Sequence, residues 1–300
     1  MDSMFLRKPL SIAMICCFAL VLGSCGSGGG GGGGSSHDSH SSDSGKMSVS
    51  VTDAKPVLPP GTEKVLITFD EVSVHKSTGV AGEGEWISLP MVHSPYTIDL
   101  LQFADGKTTS LVPPVKLENG HYTQIRIGVT SATIVINGEA YAVTIPSGNL
   151  KTDKEFDFMA TGGSAINLTV DFDLGRSIVV TGSGTFKLKP VLHIVQTTEA
   201  ATITGQISGA IFGIFTEATV IVTCDRDNSG GLTAGDEEYT RLSVSKGATD
   251  PTAFNVFWLV PNQSYLVQIE IGGVQVYIEA LNSTVMTPGA IVSLNGGLPI

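Results

Sequence analysis

From Met47 onward, apolar residues recur at every second position rather than every third or fourth. Val49 and Val51, then Val65, Ile67 and Phe69, then Ile125, Ile127 and Val129 each set one apolar face against one polar face. That period predicts half-buried β-strands. Two hairpins are marked. Ile134-Val135-Ile136 and Tyr141-Ala142-Val143 flank Asn137-Gly138, a pair favoured in two-residue turns because both central positions need positive φ. Val267, Ile269, Ile271 and Val274, Val276, Ile278 flank Gly272-Gly273 in the same way. Pro59-Pro60-Gly61 and Pro113-Pro114 punctuate loops. Only Ile98-Asp99-Leu100-Leu101-Gln102-Phe103 reads as a short helix. Many short strands with turn signals between them predict an all-β chain built of sandwiches.

A domain boundary falls near Thr197 to Ala201. Before it, Phe186 to Ile194 reads as one closing strand; after it, Ala201 to Ile207 opens a new unit. The expected units are residues 46–197 and 198–300, both ordinary domain sizes.

The N-terminus has a different pattern. A basic start (Arg7, Lys8) precedes an apolar run from Leu10 to Leu22. A membrane span needs about 20 apolar residues, so this run suits the core of a secretory signal over residues 1–24. Residues 25–45 follow, with glycine unbroken from Gly28 to Gly34 and then Ser, His and Asp. Such a segment has no apolar surface to bury, which predicts a flexible tether with a reach of roughly 25 Å. His37, Asp38 and His40 read as solvated linker side chains ahead of weak metal ligands. Leu22-Gly23-Ser24-Cys25 resembles the lipobox of bacterial lipoproteins. The resemblance implies cleavage before Cys25, a diacylglycerol on its sulfur and a further acyl chain on its amine. Two or more chains anchor firmly where one does not. It also implies a cell-envelope location. Gly26 stands where an aspartate would resemble an inner-membrane retention signal, so the outer membrane is favoured if the organism has one. The alternative is an ordinary signal peptide with a chance cysteine.

The formal charge of −11 becomes −12 once Asp2, Arg7 and Lys8 leave with the signal. That balance argues against nucleic acid and anionic headgroups as partners, since both need a positive footprint. With 42% hydrophobic residues, a sizeable core can be buried. Cys16 and Cys17 lie in the signal and Cys25 is the acylation site, leaving Cys224. No disulfide can form within the mature chain. Cys224 continues the alternation of Val220 and Val222, so it reads as a small buried core residue rather than a reactive thiol.

The sharpest local motif runs from Asp225 through Asp227, Ser229, Gly230, Gly231, Leu232 and Thr233 to Asp236. It resembles the calcium loop of EF-hands and dockerin-type repeats. Calcium takes 6–8 oxygens at about 2.3–2.6 Å. The resemblance implies ligands from Asp225, Asp227, Ser229, Gly231, Thr233 and Asp236, a sharp turn at Gly230, Leu232 pointing back to the core, and a structural role for the ion. Asp236 is shorter than the glutamate usual at that position, and the flanks read as strands rather than helices. The competing reading is a solvated acidic hairpin loop, where Asp, Asn, Ser and Gly gather for turn chemistry.

Asp171 and Asp173 share one face of an expected strand. Paired carboxylates can do acid–base work or bind a cation with Asp99; the plainer reading is side chains solvated or hydrogen-bonded to turn amides, with Arg176 pairing one of them. Trp86 with Tyr96 and Tyr122 could form a sugar-stacking platform, against the plainer reading of core aromatics. His75, His93, His121 and His193 are too scattered to propose as ligands, and the Gly28 to Gly34 run precedes no strand–helix unit, so it is not a phosphate loop.

Two wider resemblances follow from quoted segments. Val51-Thr52-Asp53-Ala54-Lys55-Pro56, Glu85-Trp86-Ile87-Ser88-Leu89, Ile98-Asp99-Leu100-Leu101, Gly120-His121-Tyr122, Ile145-Pro146-Ser147-Gly148, Val170-Asp171-Phe172-Asp173 and Lys189-Pro190-Val191 resemble bacterial lipoprotein domains classed as domain of unknown function 4382, over roughly residues 46–195. That implies an exported β-rich domain without known activity. Gly205-Gln206-Ile207-Ser208-Gly209, Ala218-Thr219-Val220 and Leu259 to Val267 resemble the carboxypeptidase-regulatory or transthyretin-like sandwiches, which are related to starch-binding folds.

The expectation is a membrane-tethered, non-enzymatic binding or scaffolding protein with an unidentified protein or glycan partner. The alternatives are a carbohydrate-binding surface lipoprotein and an envelope hydrolase using the paired Asp171 and Asp173.

Overall fold

The computed structural model describes residues 44–80, 83–146, 149–152 and 158–300. The signal segment, Cys25 and the linker histidines lie outside the described residues, as do Ser147 and Gly148.

The protein is all-β, built of separate sheets that pack as sandwiches. The first half runs β1 (Gly45–Thr52), β2 (Thr62–Ser77), β3 (Gly84–Ser88), β4 (Tyr96–Asp99), β5 (Thr109–Leu117), β6 (Gly120–Ile136), β7 (Glu139–Thr144), β8 (Asn149–Thr152), β9 (Phe158–Ala160) and β10 (Ala165–Phe172). A short α1 (Leu174–Ser177) precedes β11 (Ile178–Val180), β12 (Phe186–Leu188) and β13 (Leu192–Gln196). The second half comprises β14 (Ala201–Ile207), α2 (Gly209–Phe212), β15 (Glu217–Cys224), β16 (Glu237–Ser245), β17 (Thr252–Leu259), β18 (Tyr265–Ile271), β19 (Val274–Leu281) and β20 (Ile291–Ser293).

Strands β13-β10-β1-β5 form one sheet of the first half, and β11-β12-β7-β6-β2-β3 the other, with β4 alongside β2 and β8 and β9 alongside β6. Their inward faces meet in one apolar core containing Val49, Val51, Ile67, Ile127 and Val170. Phe69 and Phe172 bridge the sheets edge to face, ring centroids 6.3 Å apart. In the second half, β17-β14-β20 faces β16-β15-β18-β19 around a separate core that includes Phe212, Val220, Tyr265 and Met286.

Local chemistry explains most boundaries. Asn137 and Gly138 take φ of 50° and 82° between β6 and β7, and Gly272 and Gly273 take 60° and 78° between β18 and β19; both turns need the left-handed region. Gly272 also lies under the Phe215 ring, where a Cβ would come within 2.4 Å of the ring.

Several expectations need correction. Pro113 and Pro114 lie inside β5 rather than in a loop. β5 is an edge strand, and its pairing with β1 slips between Met47 and Val49, so the prolines occupy positions where no ladder donor is required. The Ile98 to Phe103 stretch is strand as far as Asp99 and a 3-10 turn thereafter. The expected closing strand from Phe186 to Ile194 is two strands in two different sheets. Pro190 sits in the break, where it supplies no donor to either ladder.

Phe69 is fully buried. Phe69→Ala should cost about 3–5 kcal/mol through lost burial and the cavity left behind, read as a lower urea midpoint. A loss under about 1 kcal/mol would mean that this core repacks freely.

Candidate functional site

The acidic loop joins β15 to β16, which pair antiparallel on either side of it. Asp225 accepts the Ser229 and Gly230 amides on its two oxygens, both at 3.0 Å. Asp227 accepts the Ser229 amide at 3.0 Å. Asp236 closes the far side by accepting the amides of Arg226 at 3.0 Å and Thr233 at 2.7 Å. Carboxylate oxygens of Asp225, Asp227 and Asp236 thereby lie within 4.8 Å of one another. Hydrogen bonds from Ser229 hold Asp227 below the usual carboxylate range. The Thr233 and Arg226 amides do the same for Asp236. Both therefore stay ionised, the state that an oxygen-seeking cation requires.

The remaining expected ligands are gathered in the same loop but turned to each other. Ser229 Oγ donates to the Gly231 carbonyl at 2.8 Å, and Thr233 Oγ1 to Asp236 at 3.1 Å. Gly230 takes a φ of 73°, as the sharp turn requires. Leu232 does not return to the core; it is 52% exposed, because the loop extends beyond the end of the sheet. Cys224, at the loop's entry, is half-buried rather than fully buried, with Sγ 3.7 Å from Gln263 Oε1.

A second cluster lies where the two halves meet. β1 and β10 pair in parallel, with Thr52 opposite Asp171. Parallel pairing delivers both C-terminal ends to the same edge of the sheet, so Asp53 and Asp173 emerge beside Asp171. All three are 1–2% exposed. The solvated reading of Asp171 and Asp173 is therefore overturned: the second half covers them. Asp53 Oδ1 accepts the Leu174 amide at 3.0 Å, and Asp173 Oδ1 caps α1 through the Arg176 amide at 2.9 Å. Asp53 Oδ2, Asp171 Oδ1 and Asp173 Oδ2 are buried without a hydrogen-bond partner. Asp99 is elsewhere, accepting from Val65 and Gln102.

Burial and then mutual repulsion raise Asp53 well above its ordinary pKa. The same causes push Asp171 up to about 7. Burial pushes Asp173 up to about 6 against the pull of the Arg176 amide and guanidinium. Across the junction, Arg176 Nη1 and His193 Nε2 both donate to the Tyr239 carbonyl at 2.8 Å. The His193 ring stacks on Tyr239 at 3.8 Å between centroids. Burial brings His193 down to about 4, so it is neutral. A cavity of about 10 Å³ remains, lined by Asp53, Asp171, Asp105, Gly106 and Trp258 among others.

The expected aromatic platform does not form. Tyr122 is fully buried and stacks on Phe158 at 5.1 Å. Trp86 packs beside His75 under the Arg126 guanidinium, 4.0 Å from its ring, and Tyr96 packs against His93. Sequence reading also missed Asp53, Thr240 and Trp258. Asp53 carried a signal, a carboxylate directly after an alternating strand, as Asp171 is within one. Thr240 and Trp258 carried none. Among the described residues no helix is long and apolar enough to cross a membrane.

Residues 44–190 match the family model described as Domain of unknown function (DUF4382). The match contains Asp53, Asp171 and Asp173 and leaves out the β16 and β17 residues that cover them. No curated protein matches the chain. Among solved structures, a leucine-rich repeat protein from Bacteroides thetaiotaomicron VPI-5482 superposes with a TM-score of 0.22 at 10% identity, over 86% of this chain and 26% of that one. This chain thus spans about a quarter of that protein's length. The fimbrial anchor protein Mfa2 from Porphyromonas gingivalis superposes with a TM-score of 0.19 at 8% identity, over 80% of this chain and 84% of that one.

Two measurements test these geometries. Calorimetry with calcium should give a heat for the wild type that Asp227→Asn with Asp236→Asn reduces; no heat in the wild type, or heat unchanged in the variant, would count against an ion in the loop. The second concerns protons, in metal-free protein. Asp53, Asp171 and Asp173 titrate higher folded than unfolded, so their stability contribution is present below pH 4 and is lost as pH rises, for Asp171 and Asp173 through about 7 and 6. His193 opposes this only between about pH 4 and 6.5, where the unfolded chain takes up its proton first. Asp171→Asn removes one titrating group and leaves His193, Arg176, Glu238 and Arg241 in place. It should gain on the wild type by up to about 4 kcal/mol between pH 4 and 8, measured by denaturant unfolding in EDTA. A pH-independent difference would count against the raised pKa.

Proposed function

We propose that this protein is a lipid-anchored, non-enzymatic binding or scaffolding module of the cell envelope. In this reading a domain of unknown function and a transthyretin-like sandwich act as one stiff body. Acyl chains on Cys25 supply the membrane attachment, with the outer membrane favoured where there is one. The glycine-rich tether holds the body clear of the headgroups, and a calcium ion stiffens the 225–236 loop.

The observation that supports it most is the junction. Domains in one chain move relative to each other unless the interface restrains them. Here one strand, β16, engages the first half at several places. The Tyr239 carbonyl takes two hydrogen bonds, and the Ser243 amide donates to the Lys55 carbonyl at 3.0 Å. Gly106 lies against the face of Phe257, where a Cβ would come within 3.1 Å of the ring. A stiff body on a flexible tether suits presentation of a surface to a protein or glycan. The cavity beside Asp171, at about 10 Å³, has the size of a single water or ion. A sugar or peptide bond has no room there, which argues against hydrolysis by the paired aspartates.

Membrane fractionation tests the anchor. The wild-type chain expressed in a lipoprotein-processing bacterium should sediment with membranes and carry acyl mass on its first mature residue. Cys25→Ser should shift to the soluble fraction. Equal partitioning of the two, with no added mass on the wild type, would refute the lipid-anchored reading.

A further inference from the structure

Three carboxylates are enclosed at the junction, and the charged group facing them most directly is Arg176, beside Asp173. Enclosing ionised carboxylates without compensation is costly, and buried charges are as a rule paired or coordinated to a metal. The amides already in place satisfy one oxygen each on Asp53 and Asp173. What remains is a set of buried oxygens with no partner: Asp53 Oδ2, Asp171 Oδ1 and Asp173 Oδ2.

Two of these residues, Asp53 and Asp171, line the junction cavity. Its volume of about 10 Å³ is that of a single water or a single ion. Asp105 lines the same cavity from the loop after the 3-10 turn. That loop is pinned in place by Thr52 Oγ1, which donates to the carbonyls of Phe103 at 2.9 Å and Lys107 at 2.7 Å. Buried carboxylates from two separate segments of the first half, Asp53 and Asp171, thus line the cavity, with the exposed Asp105 at its rim. From the second half, the buried Thr240 hydroxyl lies against Asp173 and favours that carboxylate's charged form. The Trp258 Nε1 is buried and unpartnered, on a residue held at a φ of 64°.

We propose that the junction binds a hard divalent cation of the calcium class, with Asp53 and Asp171 as its ligands and Asp105, Asp173 and Thr240 around them. Unpaired anionic oxygens are what such an ion takes as ligands, and carboxylate-only surroundings select hard cations over those that prefer imidazole or thiolate. The ion joins the halves: its ligands come from the first, and β16 and β17 of the second roof the cavity through Leu242 and Trp258. The site shares no residue with the 225–236 loop and stands whether or not that loop binds calcium.

Terbium luminescence tests it, because the tryptophan at the cavity can sensitise a calcium-like lanthanide. The chain contains two tryptophans, so the full chain is prepared with Trp86→Phe, leaving Trp258, and with Asp227→Asn and Asp236→Asn to silence the loop. Terbium should give saturable sensitised emission at one ion per chain. Calcium should compete it away and raise the melting temperature. Adding Asp53→Asn and Asp171→Asn should weaken binding by more than the roughly 10–100-fold that loss of an outer-shell partner costs. If that variant fails to fold, the parent titration still decides. No saturable emission, or emission that calcium cannot displace, overturns the proposal. So does emission that persists undiminished in a folded Asp53→Asn, Asp171→Asn chain.

Discussion

The parallel pairing of β1 with β10 is the constraint on which the junction depends. An antiparallel neighbour would have sent the end of one strand to the opposite edge of the sheet. Because the two run together, Thr52 lies opposite Asp171, and the residues that follow each strand emerge side by side. β13 then runs antiparallel along β10 and sets His193 opposite Asp171. One edge of one sheet so collects Asp53, Asp171, Asp173 and His193, and the second half seals that edge.

That sealing makes ordinary residues chemically unusual. A carboxylate at an open strand end is solvated and titrates normally; covered by β16 and β17, the same group is pushed toward neutrality. Burial lowers the histidine's pKa instead, so it too stays uncharged as it donates to the Tyr239 carbonyl. The acidic loop shows the contrast. Asp227 and Asp236 are outside the core and ringed by amides and hydroxyls, so their pKa values fall. Residue type is the same in both places, and environment sets the charge state.

The join between the halves also bears on function. The proposed role, a binding face presented from a tether, gains from a body restrained at its middle. The hydrogen bonds onto one backbone carbonyl, the ring stack and the close approach at Gly106 all come from β16, β17 and the edge they cover. Each half nevertheless keeps its own core.

The sequence by itself determined the alternating strands, the two glycine turns and the acidic loop. Each of these rests on neighbours a few residues apart: period-two burial, positive φ at Asn137-Gly138 and Gly272-Gly273, and alternating carboxylates in Asp225 to Asp236. Residues 44–190 also carried enough of a family pattern to be recognised. Tertiary structure alone decided the rest. Leu232 left the core because its loop overruns the sheet, and Pro190 split one apparent strand between two sheets. Tyr122 went inward, away from any exposed platform. Asp53 joined Asp171 across more than a hundred residues of chain, and Thr240 reached them from the other half. Long-range pairing of this kind depends on register and on which surface ends up covered, and no local period in a single sequence encodes either.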